Sequence, residues 1–243
     1  MSTLLQVKDL SISFQGIKAV QHLSFEIEQG EVLGLIGPNG SGKSTTVNMI
    51  SGAYTPDSGE VVFDGKTLTK KQSIATRSHL GIGRTFQTPR PFGNLTVYDN
   101  IFTIALQRYS FKEADKRTME ILELSGLVSL SQEPSSKLSI EKRKWLDLAR
   151  VLATEPKLVM MDEVMAGLNS NEMMESLDLV RSINKQGITV LFIEHVMRAV
   201  VSICTRTIVL NEGQFLYEGT PQEALSNASV IEAYIGGKKD AKN

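Results

Sequence analysis

The chain has 243 residues, enough for one large domain or two small ones, since domains usually run about 100–200 residues. Hydrophobic residues make up 41% and charged residues 22%, a soluble globular composition that excludes a disordered tail or a collagen-like fibre. With 26 Lys and Arg against 27 Asp and Glu the net charge is −1, which leaves no overall electrostatic footprint for nucleic acid.

In chain order, Leu5–Leu10 and Leu23–Glu28 alternate apolar and polar residues and are predicted to be strands. Glu31–Ile36 is a near-continuous apolar run, as in a buried parallel strand. A glycine-rich loop, Gly37–Gly42, leads into a predicted helix over Lys43–Ser51, and Glu60–Phe63 is a short strand before the Asp64-Gly65 turn. From about Val97 to Val128 the pattern becomes helical, Ser129–Lys137 reads as a loop, and a second helix starts at Ser139 and stops before Pro156. Strands return at Leu158–Met161, Ile188–Ile193 and Thr207–Leu210, with helices between them. This alternation predicts an α/β fold with parallel strands. Segment 236–243, small and charged, is expected to be a frayed tail. No run of about 18 apolar residues is present, and the first residues lack a basic signal region. The lone Cys204 sits in an apolar stretch and is expected to be a buried small hydrophobe.

Gly37-Pro38-Asn39-Gly40-Ser41-Gly42-Lys43-Ser44 matches G-x-x-x-x-G-K-[ST], with a strand before it and a helix after it. Glycines let the loop turn its amides around an anion, and the helix adds unpaired N–H groups and a positive dipole end. Lys43 supplies a charge for the β- and γ-phosphates, and the Ser44 hydroxyl can ligate Mg²⁺. In Leu158-Val159-Met160-Met161-Asp162-Glu163 a buried strand ends in two carboxylates: Asp162 to hold Mg²⁺ through water, Glu163 to polarise the attacking water. His195, at the end of the next strand, can contact the γ-phosphate, and Gln87 in Arg84-Thr85-Phe86-Gln87 can reach metal and water. His22 and His79 lack such a context and are read as structural or surface residues.

The order of these motifs over residues 1–220 resembles the ATPase subunits of ABC transporters. The resemblance implies a P-loop NTPase core of mixed sheet, built from 1–87 and 158–243, with an α-helical subdomain inserted at 88–157. It implies that ATP binds Phe14 (stacking on adenine), Gly37, Pro38, Asn39, Gly40, Ser41, Gly42, Lys43, Ser44 and Thr45, with Mg²⁺ at Ser44, Gln87 and Asp162. Catalysis falls to Glu163, His195, Gln87 and Lys43, and Ala166–Asn169 matches the D-loop. Gly83–Pro89, Ala166–Asn169 and Val230–Gly236 look most like branched-chain amino acid importers.

One motif departs. Where the family carries Leu-Ser-Gly-Gly-Gln, this chain has Leu138-Ser139-Ile140-Glu141-Lys142. In the family this segment meets the γ-phosphate bound by the other subunit of a head-to-tail dimer, where glycine lets phosphate approach the backbone. A Glu141 carboxylate there would occupy or repel that phosphate: two unit charges about 4 Å apart at an effective dielectric near 20 cost about 4 kcal/mol. The chain is therefore expected to activate ATP on its own phosphate loop, to be a poor partner in trans, and to pair with a different ATPase subunit. Val164, where the family usually has Pro, is a milder departure.

The function expected is ATP hydrolysis powering an importer of branched-chain amino acids or similar small polar solutes. Its partners would be transmembrane permease subunits, a second ATPase subunit (as a hetero- or homodimer) and, indirectly, a solute-binding protein, at the cytoplasmic side of the membrane. Two alternatives are an ATP-binding regulatory subunit of low turnover and a soluble ATPase of this type acting on nucleic acid.

Overall fold

The computed structural model describes residues 2–236. Of the segment read as a frayed tail, only Gly236 lies among them; 237–243 fall outside the described residues. The chain opens with a hairpin of β1 (Thr3–Phe14) and β2 (Ile17–Glu28), then β3 (Val32–Ile36), α1 (Lys43–Ser51), β4 (Ser58–Phe63), β5 (Lys66–Thr67), α2 (Ile74–Leu80) and β6 (Ile82–Arg84). Three helices follow: α3 (Val97–Ala105), α4 (Phe111–Leu124) and α5 (Ile140–Leu152). The chain closes with β7 (Leu158–Asp162), α6 (Ser170–Lys185), β8 (Thr189–Ile193), α7 (Met197–Ile203), β9 (Arg206–Asn211), β10 (Gln214–Gly219), α8 (Pro221–Ser226) and α9 (Ala228–Gly236).

Two sheets result. One is antiparallel in the order β2-β1-β4-β5; the other is mixed, in the order β10-β9-β3-β8-β7-β6, parallel except for β10 on β9. Successive residues of the buried strands serve opposite faces. Leu33, Leu35, Met160 and Leu191 join a core with β1, β2 and α1, whereas Ile36, Val159, Met161 and Phe192 join a second core with the later helices. Cys204 is buried in this second core.

The hairpin is longer than its alternation suggested because bulges break the period. Asp9 and His22 have φ of 51° and 49°, and the pairing register shifts between Val7 and Leu10. Ser24 and Ser11 hydroxyls accept from the displaced amides of Asp9 and His22. His22 Nδ1 lies 2.7 Å from Asp9 Oδ1 with its side chain largely exposed, a surface place in keeping with its reading as a structural or surface residue. The helical pattern read over about 97–128 comprises two helices, α3 and α4. Its break is marked by a capping box, Ser110 with Glu113, a signal present in the sequence but not used.

Candidate active site

Every residue of the site stands at the carboxyl end of a parallel strand, where open α/β sheets place their ligands. β3 ends in the phosphate loop, β7 in Asp162 and Glu163, β8 just before His195, and β6 at Arg84, three residues before Gln87.

The loop turn depends on Gly37, at φ +147°; a Cβ there would collide with the Leu210 carbonyl and lie 2.7 Å from Ser41 Oγ. Gly42, the N-cap of α1, is also left-handed and offers no side-chain cap. Among the described residues none accepts from the amides of Lys43, Ser44 or Thr45; the first bond of the helix is Thr46 N–H to the Gly42 carbonyl, 2.8 Å. Such a helix end is an anion cradle. Lys43 is buried and folds back on its own loop, donating to the carbonyls of Gly37 (2.8 Å) and Pro38 (3.0 Å). Burial lowers its pKa, and the charges of Glu163 and Asp162 oppose that shift.

Asp162 is buried and held by Arg84 Nη2 at 3.1 Å; Arg84 Nη1 also donates to Asn48 Oδ1 at 2.5 Å. Burial raises the Asp162 pKa, and Arg84 pulls it back. Glu163 sits at φ +51°, a conformation costing a side-chain-bearing residue about 1–3 kcal/mol. Its carboxylate accepts from Gln87 Nε2 at 2.5 Å and lies 3.9 Å from His195 Nδ1. Ser44, Gln87 and Asp162 line one cavity of about 710 Å³ together with Arg84. A hydroxyl, an amide oxygen and one carboxylate are hard oxygen donors that suit Mg²⁺ completed by phosphate oxygens, so the residues fit the ion.

Lys43, Asp162, Glu163, Gln87 and His195 thus converge. Phe14 lies elsewhere, half-exposed at the end of β1 and edge-to-face with Tyr54 at 5.2 Å; it does not line that cavity. Ser139 caps α5, its hydroxyl accepting from Lys142 N–H at 3.2 Å, and Ile140 is exposed. Lys142 stands 3.3 Å over the Trp145 ring. Glu141 lies in the first turn of α5, where the sequence placed it, and is buried there. It is 7% exposed, and its Oε1 lies 3.5 Å from Lys142 Nζ, an ion pair without a hydrogen bond. Burial first, then Glu175 and Glu172 of α6, raise its pKa against the pull of Lys142. α5 meets α6 here through Trp145 Nε1, which donates to Ser176 Oγ at 2.9 Å, and through Lys142 and Glu175 at 3.7 Å, contacts invisible in a linear sequence.

Arg84 and Asn48, which brace Asp162, were not assigned roles from sequence, nor were two buried charges behind Glu163, Lys144 and Glu194. The one legible signal was Glu194, a second carboxylate at a strand end beside His195.

This fold and this constellation define a P-loop ATPase. The family model for ABC transporters matches residues 20–166, and the chain belongs to that family as an ATP-binding, ATP-hydrolysing cassette. It is 35% identical to the high-affinity branched-chain amino acid transport ATP-binding protein LivG of Salmonella typhimurium, over 96% of this chain and 98% of that one. It is 32% identical to the lipopolysaccharide export system ATP-binding protein LptB of Acidithiobacillus ferridurans, over 97% and 98%. A solved ATP-binding cassette of an ABC transporter in its ADP conformation superposes with a TM-score of 0.88 at 32% identity, covering 97% of this chain and all, 100%, of that one. A dimeric post-hydrolysis cassette bound to ADP and Pi gives 0.80 at 25%, covering 90% and 99%. Among the described residues no helix is long and apolar enough to cross a membrane.

Proposed function

We propose that this cassette sits at the cytoplasmic face of a membrane and hydrolyses MgATP to drive import of branched-chain amino acids or similar small polar solutes. The observation that carries the chemistry is the convergence of Lys43, Asp162, Glu163, Gln87 and His195 around one phosphate loop. The similarity to LivG supports the solute class.

Phosphates enter the open amides of residues 43–45, and Lys43 exchanges its two loop carbonyls for phosphate oxygens. Ser44, Asp162 and Gln87 would hold Mg²⁺, which neutralises charge on the phosphates when bound. Glu163 accepts a proton from the attacking water, and His195 lies beside it. Here Gln87 occupies a Glu163 oxygen at 2.5 Å, so the segment after β6 must shift before Glu163 is free. That shift gives the partner permease subunits, expected near Gln87 and the helical section 88–157, a means to control hydrolysis. Phe14, half-exposed, is retained as the aromatic that stacks on adenine.

A second, unlike ATPase subunit completes the assembly, with a solute-binding protein delivering cargo from the far side. The unlike pairing is favoured because α5 begins Ser139-Ile140-Glu141-Lys142, with a carboxylate where a bare backbone suits phosphate. The burial of Glu141 beside Lys142 softens the direct repulsion; the missing glycines and the added side chains remain.

The test is the native complex, isolated from detergent-solubilised membranes through a tagged chain. Hydrophobic permease subunits and a different cassette should co-purify, with branched-chain amino acids stimulating turnover. Glu163→Gln should lower kcat at least about 100-fold with ATP binding intact, and Lys43→Ala should lose MgATP binding. Unchanged turnover in Glu163→Gln refutes the catalytic reading. Rapid cooperative hydrolysis by the chain alone as a homodimer refutes the unlike pairing, and recovery with lipopolysaccharide-handling subunits refutes the solute class.

A further inference from the structure

The left-handed backbone of Glu163, at φ +51°, persists only where its surroundings impose it. The turn that follows does little to impose it by itself. Its internal hydrogen bonds, Ala166 N–H to the Glu163 carbonyl and Leu168 N–H to the Met165 carbonyl, are both 3.3 Å. Two buried charges grip it from outside. Lys144, within α5, donates Nζ to the carbonyls of Val164 at 3.0 Å and Ala166 at 2.5 Å. Glu194, after β8, accepts the Met165 amide on Oε1 at 2.7 Å. Lys144 is 9% exposed and Glu194 0%. The three residues after Glu163 are therefore each held through the backbone, alternately by an ammonium and a carboxylate.

Neither charge is needed to fill space. Among the described residues neither is spent pairing with the other: both bond the turn's backbone, and Oε2 of Glu194 makes no hydrogen bond. Both connect the turn to elements of the site. Lys144 lies on the helix that Ser139 caps, and Glu194 directly precedes His195. We propose that Lys144 and Glu194 are positioning residues for hydrolysis. Together they clamp the Val164–Ala166 turn and hold the Glu163 carboxylate in place, and because Lys144 rides on α5, that placement follows the position of α5. This rests on Glu163 acting as the base.

The test uses the membrane complex purified through the tagged full chain, with turnover measured against MgATP concentration and melting measured alongside. Lys144→Met keeps the aliphatic stem and removes both donors; kcat should fall about 100-fold with KM unchanged, as for a misplaced catalytic group. Lys144→Arg can still donate to both carbonyls and should recover most of kcat. Glu194→Gln keeps the volume and an acceptor but loses the charge, and should lower kcat about tenfold. Wild-type kcat in Lys144→Met, or a loss confined to KM, overturns the clamp; a merely structural lysine would change melting and leave the turnover of folded protein alone. If Lys144→Met does not fold, Glu194→Gln decides, and wild-type kcat there overturns the proposal. Glu163→Gln separates the two ideas. If it is inactive while both clamp variants turn over normally, only the clamp falls; if it turns over normally, the catalytic reading falls first.

Discussion

Replacing Arg84 by Met removes the cation bonded to Asp162 while keeping similar bulk. The two side chains are 15% and 7% exposed and meet at 3.1 Å. Removing one partner of a buried pair usually costs about 3–5 kcal/mol, because the other charge is left uncompensated. The lower end applies here, about 3 kcal/mol, since Lys43 also opposes the Asp162 charge. In a chain of this size 1 kcal/mol moves Tm by about 2–4 °C, so Tm should fall by roughly 6–12 °C. The loss has a defined pH dependence. Burial already holds the Asp162 pKa above its ordinary value, and Arg84 is the main influence lowering it. Without Arg84 it rises further. A protonated Asp162 needs no cation, so the difference between wild type and variant is full at neutral pH and shrinks as pH falls through the variant's raised pKa. Urea unfolding of the full chain at neutral pH and near pH 5, about two decades higher in proton activity, reads this directly. Adding Asp162→Asn to Arg84→Met should restore most of the lost stability at neutral pH. An equal loss at both pH values, or none at neutral pH, would refute the assignment of Asp162 as a buried charge that depends on Arg84.

Two further substitutions or reactions test the site and the core. Gly37→Ala places a methyl against the Leu210 carbonyl and Ser41 Oγ at a left-handed φ; it should weaken MgATP binding at least tenfold, about 1.4 kcal/mol, and titration calorimetry showing wild-type affinity would contradict the loop geometry. Burial pushes the Cys204 thiol pKa well above its ordinary value; a thiol reagent at neutral pH should leave it unmodified in the native chain and label it in urea, and rapid labelling of the folded protein would show the core to be open there.

Much of the site was legible because it is written in short contiguous segments. A phosphate loop needs only adjacent amides, glycines that permit the turn, and a helix that starts at Lys43; all follow from local backbone rules. Likewise an apolar run ending in Asp162-Glu163 or Glu194-His195 marks the end of a buried strand wherever the sheet places it. The fold class followed from alternating strand and helix patterns, but the hairpin length did not, because the bulges at Asp9 and His22 broke the period being read. The antiparallel partner β10 and the short strand β6 carried too little pattern to stand out.

What the linear chain determined by itself was which chemistry is present: a cradle for phosphate, carboxylates at strand ends, and a helix start at Ser139 that lacks glycine. Only the tertiary structure decided who meets whom. Gln87 finds Glu163 across 76 positions, Arg84 finds Asp162 across 78, and Lys144 reaches the turn after Glu163 across 20 and 22. Those meetings depend on β7 lying between β6 and β8 in the sheet, and on α5 packing where its lysine can reach that turn. Strand order and helix docking are settled by burying apolar faces against one another, a global balance that no short segment encodes, and the same balance leaves Glu141 buried in the first turn of α5.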